Sequence, residues 1–282
     1  MGVPYNQVFF PTSFNELFSV WNRFPEGVLY AGGTSLIGRQ GKNIINLPII
    51  TICLDKLEEL HRITRTEQYL EIGSMVNLNR LARLGKIVPE ILCTCLENIA
   101  GVQLRNIATV GGNICSASNL FDLSVPFTAL DAQYEFRSAV STRLVLASRY
   151  HSSPVVQSAD TSGSKNREVL TRIRLPLHQW DYSIYKKIKR ENIYNNEVLV
   201  FLAKAQKNIL SDIRVVYKAN KILRNKNSED LLNGKSLPIN RRTALDFIEN
   251  WKEFLENRND VNEFSKNALI YSIEENVIIL SE

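Results

Sequence analysis

Two short segments of the chain combine adjacent glycines with hydroxyl-bearing side chains, a combination that can bind an anion. The first is Ala31-Gly32-Gly33-Thr34-Ser35-Leu36, and it follows an apolar run at 27–31 that predicts a strand. Glycine lacks a Cβ atom and permits positive φ, so successive backbone N–H groups can point at one anion. Such a loop can cradle a pyrophosphate, although a Gly-Gly turn between two elements more often has only a structural role.

The second segment runs from Arg105 to Asn113, reads Arg-Asn-Ile-Ala-Thr-Val-Gly-Gly-Asn, and is followed by Ser116 and Asp122. The Asp122 carboxylate can accept hydrogen bonds from a ribose hydroxyl, and Arg105 can either brace the loop or contact a phosphate. Two such segments that converge on one dinucleotide form a more specific hypothesis than either segment alone. The sequence contains neither G-x-G-x-x-G nor G-x-x-x-x-G-K-[ST], which excludes the βαβ dinucleotide fingerprint and the P-loop.

The composition is that of a soluble globular protein with two domains. The 282 residues are 44% hydrophobic and 22% charged, with a net charge of +5. The four cysteines and three histidines lack the spacing of zinc or iron–sulfur ligands, so we expect reduced thiols and no metal. We find no signal peptide and no apolar run of about 18 residues, which predicts a cytoplasmic chain without membrane contact. Basic residues at 186–190 alternate between two strand faces, so no nucleic-acid patch is expected.

Hydrophobic periodicity predicts an α+β fold with both glycine segments in its first part. Before Pro176 we predict helices at 12–22, capped by Thr12 or Ser13, and at 54–63, 77–85 and 89–101, with strands at 27–31, 43–50, 69–76 and 168–176. The segment 105–113 is predicted to be irregular, and the Ser-rich stretch at 150–168 predicts a mobile loop. After residue 178 we predict three antiparallel strands at 182–190, 197–206 and 209–217, and helices at 228–233, 241–257 and 262–280.

The glycine segments resemble those of the FAD-binding subunits of molybdenum hydroxylases, the xanthine dehydrogenase and carbon monoxide dehydrogenase family. The resemblance runs through most of the chain, and it rests on LYAGGTSL at 29–36, EIGSMVNL at 71–78, IAGVQLRNIATVGGNICSASNLFDLSVPFTALDA at 99–132, EVLTRIRLP at 168–176 and YKKIKR at 185–190. It implies a PCMH-type FAD-binding domain at 1–176, with subdomains at about 1–57 and 58–176. A smaller α+β domain at 177–282, a three-stranded antiparallel sheet with helices, would follow.

The resemblance also implies which residues bind FAD. The residues implied to wrap the pyrophosphate are Leu29, Tyr30, Ala31, Gly32, Gly33, Thr34, Ser35 and Leu36. Those implied to approach the flavin and the phosphates are Thr109, Val110, Gly111, Gly112 and Asn113. Ser116 and Asp122 would hold the phosphate and ribose region, Leu170 would pack near the isoalloxazine, and Lys186 would lie close to the flavin. Ile99 stands where the family often has a residue that packs on the cofactor.

The function implied by the resemblance is that of an oxidoreductase subunit in purine metabolism, without a catalytic residue of its own. Electrons from [2Fe–2S] clusters of a small partner subunit would reach FAD and leave as hydride to NAD⁺, while molybdopterin belongs to a large partner subunit. A self-contained flavin oxidase or reductase of the same fold and a flavin-free scaffold subunit stay open as alternatives. The chain departs from the family pattern at Ser35, which replaces an aspartate, at 192–197, and at Tyr217-Lys218-Ala219, where a Gly-Gly turn is expected.

Overall fold

The fold is given by a computed structural model, which describes residues 6–38, 40, 45–116, 121–152, 167–189 and 196–281. Most of the predicted loop at 150–168 lies outside these residues, as does the greater part of the divergent run at 192–197. The described part contains three sheets, which pack with helices around three hydrophobic clusters. This mixture of sheets and helices confirms the predicted α+β class.

The first sheet is parallel and carries the first glycine segment at the end of its outer strand. Its strands, in the order β1-β3-β2, are β1 (Gln7–Phe9), β2 (Val28–Tyr30) and β3 (Ile50–Cys53). Helix α1 (Phe14–Arg23) crosses from β1 to β2, and the Ser13 side chain caps it by accepting a hydrogen bond from the Glu16 N–H. The predicted helix is therefore confirmed, and of the two candidate caps, Thr12 and Ser13, the structure has Ser13. A short helix α2 (Thr34–Gly38) follows the glycines directly.

The second sheet is antiparallel and supports the second glycine segment. Its strands, in the order β4-β5-β8-β6-β7, are β4 (Ile63–Arg65), β5 (Tyr69–Gly73), β6 (Gln133–Arg137), β7 (Thr142–Leu146) and β8 (Val169–Pro176). The helices of this part are α3 (Leu78–Ala82), α4 (Glu90–Glu97), α5 (Val102–Arg105), α6 (Val110–Ile114), α7 (Ser124–Ala129) and α8 (Ala147–Ser152). Strand β8 ends at Pro176 as predicted, because proline cannot donate to a sheet ladder.

Three local predictions before Pro176 were wrong. The run at 43–50 predicted a strand, but among its described residues only Ile50 lies in one, because Pro48 interrupts the run and cannot donate to a sheet ladder. The leucine spacing at 54–63 predicted an α-helix, but the structure has only a 3₁₀ turn at Glu58–His61. Leu54, Leu57 and Leu60 are nonetheless all buried, since a spacing of three also fits 3₁₀ geometry. The segment 105–113, predicted to be irregular, contains the end of α5 and most of α6.

The third sheet lies in the C-terminal part. Its strands, in the order β12-β11-β10-β9, are β9 (Tyr182–Ile188), β10 (Glu197–Gln206), β11 (Ile209–Lys218) and β12 (Ile222–Arg224). The helices are α9 (Lys226–Leu232), α10 (Arg241–Glu256) and α11 (Glu263–Ile279). The three predicted antiparallel strands and the three predicted helices are confirmed, and the structure adds the short fourth strand β12.

Both faces of the third sheet are buried. Along β10, Leu199 and Phe201 pack into the cluster formed with the C-terminal helices, whereas Val198 and Val200 pack into the core of the preceding part. This alternation follows from the period of two in a strand. The two parts therefore share a hydrophobic core, and the division into domains at residue 176 stays a prediction.

Candidate functional site

The first glycine segment is a tight turn between β2 and α2. Gly33 has a φ of +67°, and a Cβ atom built on it would lie 2.1 Å from the Tyr30 hydroxyl oxygen. The positive φ favours glycine at this position, whereas the steric clash involves only the end of the Tyr30 side chain, which can move. The expected positive φ is therefore confirmed at Gly33, and the residues of the turn and of α2 are partly exposed.

The second glycine segment begins helix α6 instead of forming an open loop. Thr109 is its N-cap, and the Thr109 hydroxyl oxygen accepts a hydrogen bond from the Gly112 N–H at 3.0 Å. Neither Gly111 nor Gly112 has a positive φ, so conformational freedom is not the reason for this glycine pair. At Gly111 the reason is a close approach, since an added Cβ would lie 2.7 Å from the Ser74 Cβ.

The two segments meet in the structure. A Cβ atom on Gly32 would lie 2.1 Å from the carbonyl oxygen of Ile107 and 3.2 Å from the Cα atom of Ala108. The backbone of the first turn thus contacts the stretch that leads into Thr109. The same stretch is also held by the start of α3, because the Leu78 N–H donates to the Ala108 carbonyl oxygen at 2.9 Å. The convergence expected from the sequence is present in the fold.

Two side-chain oxygens in or next to the second segment are buried without a hydrogen-bond partner among the described residues. They are the hydroxyl oxygen of Ser74, a residue that packs against Gly111, and the side-chain oxygen of Asn113. A buried polar group without a partner costs free energy, so it commonly marks a place where a ligand or water binds. The turn at Gly33 and these two atoms fit a ligand rich in phosphate and hydroxyl groups, such as FAD.

Asp122 is buried in an ion-pair cluster that the sequence reasoning missed. Its two carboxylate oxygens lie 2.6 Å from Lys187 Nζ and 2.6 Å from Lys218 Nζ. The predicted contact of Asp122 with a ribose stays a prediction, but both carboxylate oxygens already have a lysine partner. The only sequence signal for this cluster was the alternation of basic residues after Tyr185.

Lys186 faces away from this cluster. In the sheet register Lys186 pairs with Leu199 and Lys187 with Val198, so the two lysines point to opposite faces. Lys186 Nζ lies 2.7 Å from a Glu275 carboxylate oxygen and 5.4 Å from the centre of the Tyr271 ring, both on α11. The structure therefore does not bring Lys186 together with Asp122.

The other residues implied by the resemblance lie at the edge of this region or in its core. Leu170, on β8, is buried and pairs with Phe136. Ile99 is half-buried and packs against the same core. Arg105 braces the preceding loop, since its Nη1 donates to the carbonyl oxygens of Glu97, Ile99 and Ala100 at 2.8–3.1 Å. The alternative, a contact of Arg105 with phosphate, stays a prediction.

A buried aromatic cluster lies behind the second sheet. The Tyr134 hydroxyl and His151 Nε2 are 2.9 Å apart, and burial lowers the pKa of His151 to about 3. Burial also raises the pKa of Tyr134 well above its usual value, so a neutral phenol and a neutral imidazole share this hydrogen bond. His151 therefore has a structural role in the cluster. Among the described residues there is no cluster of metal ligands and no helix long and apolar enough to cross a membrane.

The part of the chain that contains both glycine segments matches a family of known proteins. A family model described as the FAD binding domain in molybdopterin dehydrogenase matches residues 4–178. The xanthine dehydrogenase FAD-binding subunit of Escherichia coli O157:H7 is 36% identical over 135 residues, which are 46% of this chain and 45% of that protein. The nicotine 6-hydroxylase medium subunit of Paenarthrobacter nicotinovorans is 24% identical over 250 residues, 86% of each chain.

Some relatives are much longer. Xanthine dehydrogenase 2 of Arabidopsis thaliana is 28% identical over 256 residues, which are 80% of this chain and 18% of that protein. This chain thus spans about a fifth of the plant protein and less than half of the Escherichia coli O157:H7 subunit.

Solved structures agree on the fold. A chain of quinoline 2-oxidoreductase from Pseudomonas putida 86 superposes with a TM-score of 0.80 at 20% identity, covering 100% of this chain and 98% of that one. Carbon monoxide dehydrogenase from Hydrogenophaga pseudoflava gives 0.80 at 21% identity with the same coverage. Because the family match extends over more than half of the sequence and includes both glycine segments, the chain belongs to the family of FAD-binding domains of molybdopterin dehydrogenases.

Proposed function

We propose that the chain is the FAD-binding, electron-transfer subunit of a xanthine dehydrogenase-like molybdenum hydroxylase, and that NAD⁺ takes the electrons as hydride. The observation that carries the proposal is the contact between Gly32 and Ile107, which joins the two glycine segments. The second of these segments also contains the unpartnered side-chain oxygen of Asn113. Such a junction offers backbone N–H groups and polar side chains to one extended dinucleotide. The match to FAD-binding domains supports FAD as that dinucleotide.

In the proposed complex, the residues of this chain bind and orient the cofactor. The turn at 31–36 would hold the pyrophosphate through its backbone. Thr109 and Asn113 would approach the flavin and the phosphates, and Ser116 would hold the phosphate and ribose region. FAD, when bound, supplies the capacity to accept electrons and to release them as hydride. Hydride release needs no general base, and the neutral, buried His151 is consistent with a site that does not use one.

The partners belong to the proposal as well. The names of the relatives in Escherichia coli O157:H7 and Paenarthrobacter nicotinovorans, an FAD-binding subunit and a medium subunit, support a complex of several chains. We propose a large subunit that carries molybdopterin and hydroxylates a heteroaromatic ring such as a purine, and a small subunit with [2Fe–2S] clusters. All four cysteines are free thiols, which supports a reducing, cytoplasmic location.

Anaerobic addition of NADH to the FAD-loaded chain tests the function directly. If NAD⁺ is the acceptor, hydride transfer runs in reverse, and NADH bleaches the visible absorption of the bound flavin. Free FAD under the same conditions is the control. A bound flavin that dithionite reduces and NADH does not would contradict the assignment of NAD⁺. Co-purification of a molybdenum-containing and an iron–sulfur subunit with the tagged chain tests the partners, and recovery of the chain alone would contradict them.

A further inference from the structure

The cluster of Asp122, Lys187 and Lys218 lies where the C-terminal sheet meets the rest of the fold. The side chain of Lys218 is only 3% exposed, that of Asp122 11% and that of Lys187 14%. Salt screens such buried charges weakly, and each charge needs its partner close by. The three side chains therefore constrain the positions of the elements that carry them.

The sheet register places the two lysines on one face. Val198 of β10 pairs with Lys187 of β9 on one side and with Lys218 of β11 on the other. The neighbouring Tyr217 points the opposite way, and its hydroxyl donates to Glu197. Lys218 thus places a second ammonium group on the face that meets Asp122.

Lys187 contacts one residue that precedes the second glycine segment in the sequence and one that follows it. Its Nζ donates to the Asn98 carbonyl oxygen at 2.9 Å and lies 2.6 Å from Asp122. Asn98 is the C-cap of α4 and precedes the glycine segment in the sequence, and Asp122 follows the segment and lies next to α7. One side chain of the C-terminal sheet therefore ties together the two ends between which the segment lies.

The other end of α7 is held by the same sheet. Arg214 of β11 donates to the Ala129 carbonyl oxygen at 2.7 Å and lies 2.8 Å from Asp131. Arg224 of β12 lies 3.0 Å from the other Asp131 carboxylate oxygen. Helix α7 is thus fixed at both ends by cations from three strands of the C-terminal sheet.

We propose that Lys187 and Lys218 are positioning residues of the FAD site. Lys187 holds Asp122 and Asn98, and Lys218 holds Asp122. Together they fix the second glycine segment at the spacing that FAD requires, so the C-terminal sheet contributes to the FAD site. The inference rests on the proposed FAD function, and it assigns no contact between either lysine and the cofactor.

FAD titration of purified, flavin-stripped variants tests the inference. The variants are Lys187→Met, Asp122→Asn and the double variant Asp122→Asn/Lys218→Met. Lys221→Met is the matched control, because Lys221 is a lysine of the same part of the chain, 65% exposed and paired with Asp260. Affinity is measured by flavin fluorescence, the environment of the bound flavin by visible circular dichroism, and folding by thermal unfolding.

We expect Lys187→Met and Asp122→Asn to weaken FAD binding by about tenfold or more, with Lys221→Met equal to wild type. Asp122→Asn leaves two ammonium groups without the carboxylate they share, and the added Lys218→Met removes one of them. The double variant should therefore bind FAD more tightly than Asp122→Asn alone. A purely structural role would change only the unfolding temperature and leave affinity and the dichroism unchanged.

Wild-type affinity in Lys187→Met would overturn the inference, as would a double variant that binds FAD more weakly than Asp122→Asn. If Asp122→Asn does not fold, Lys187→Met alone decides, since it leaves the Asp122–Lys218 pair intact. Failure of wild type and Lys221→Met to bind FAD would instead refute the proposed function.

Discussion

The contact between Gly32 and Ile107 makes Gly32→Ala the sharpest perturbation of the site. An ideal Cβ atom at Gly32 would lie 2.1 Å from the Ile107 carbonyl oxygen and 2.9 Å from its carbon. Real Cβ contacts essentially never fall below 3.0 Å, so the two backbones must separate by about 1 Å. Both obstructing atoms belong to the backbone, so no side chain can rotate away to relieve the clash.

Overpacking of this kind costs about 1–3 kcal/mol. We expect urea unfolding to show a loss of that size, and the FAD dissociation constant to rise by about tenfold or more as the two segments move apart. Gly101→Ala is the matched control. It adds the same methyl group nearby, where the closest atom is the flexible end of Gln103 at 3.2 Å.

The assay is titration of flavin-stripped protein with FAD, followed by flavin fluorescence. Equal affinity in Gly32→Ala and Gly101→Ala would refute the claim that the spacing of the two segments determines FAD binding.

Three further predictions concern single side chains. Burial lowers the pKa of His151 to about 3 from 6.5, so the unfolded chain takes up a proton that the folded chain does not. Stability present above pH 6.5 is therefore lost as the pH falls towards 3, by about 1.4 kcal/mol per pH unit. Urea unfolding should show this dependence in wild type and lack it in His151→Gln, which keeps an acceptor for Tyr134; equal dependence in both would contradict it. Thr109→Val removes the cap on the Gly112 N–H and should cost about 0.5–2 kcal/mol, while an unchanged urea midpoint would count against the cap. Lys186→Met breaks a partly exposed pair with Glu275 and removes the ammonium group over the Tyr271 ring, so stability should change by about 1 kcal/mol or less; a larger loss would mean that Lys186 has a further partner.

The parts of the fold that the sequence predicts have local signals. The cap at Ser13, the stop of β8 at Pro176 and the alternation in β9 to β11 each depend on residues close together in the chain. Gly33 is of the same kind, since its positive φ is a property of one turn. The glycine pair at 111–112 is different, because Gly111 is required by its approach to Ser74, a residue distant in sequence.

The placement of Lys186 and Lys187 relative to the site can be predicted only in part from the sequence. Alternation correctly puts Lys186 and Lys187 on opposite faces, but it cannot tell which face meets the glycine segments. Both faces of this sheet are buried, the one that carries Val198 and the one that carries Leu199. Hydrophobicity therefore does not tell which face meets the glycine segments. Only the packing of the two parts of the chain identifies Lys187 as the partner of Asp122.

The central claim, that the two glycine segments form a FAD site, is tested most directly by the visible absorption spectrum of the purified chain, followed by release and identification of the chromophore. We predict flavin bands and a stoichiometry of one FAD per chain. A colourless chain that also fails to take up added FAD would contradict the account, and the two glycine segments would then be ordinary turns in a scaffold subunit.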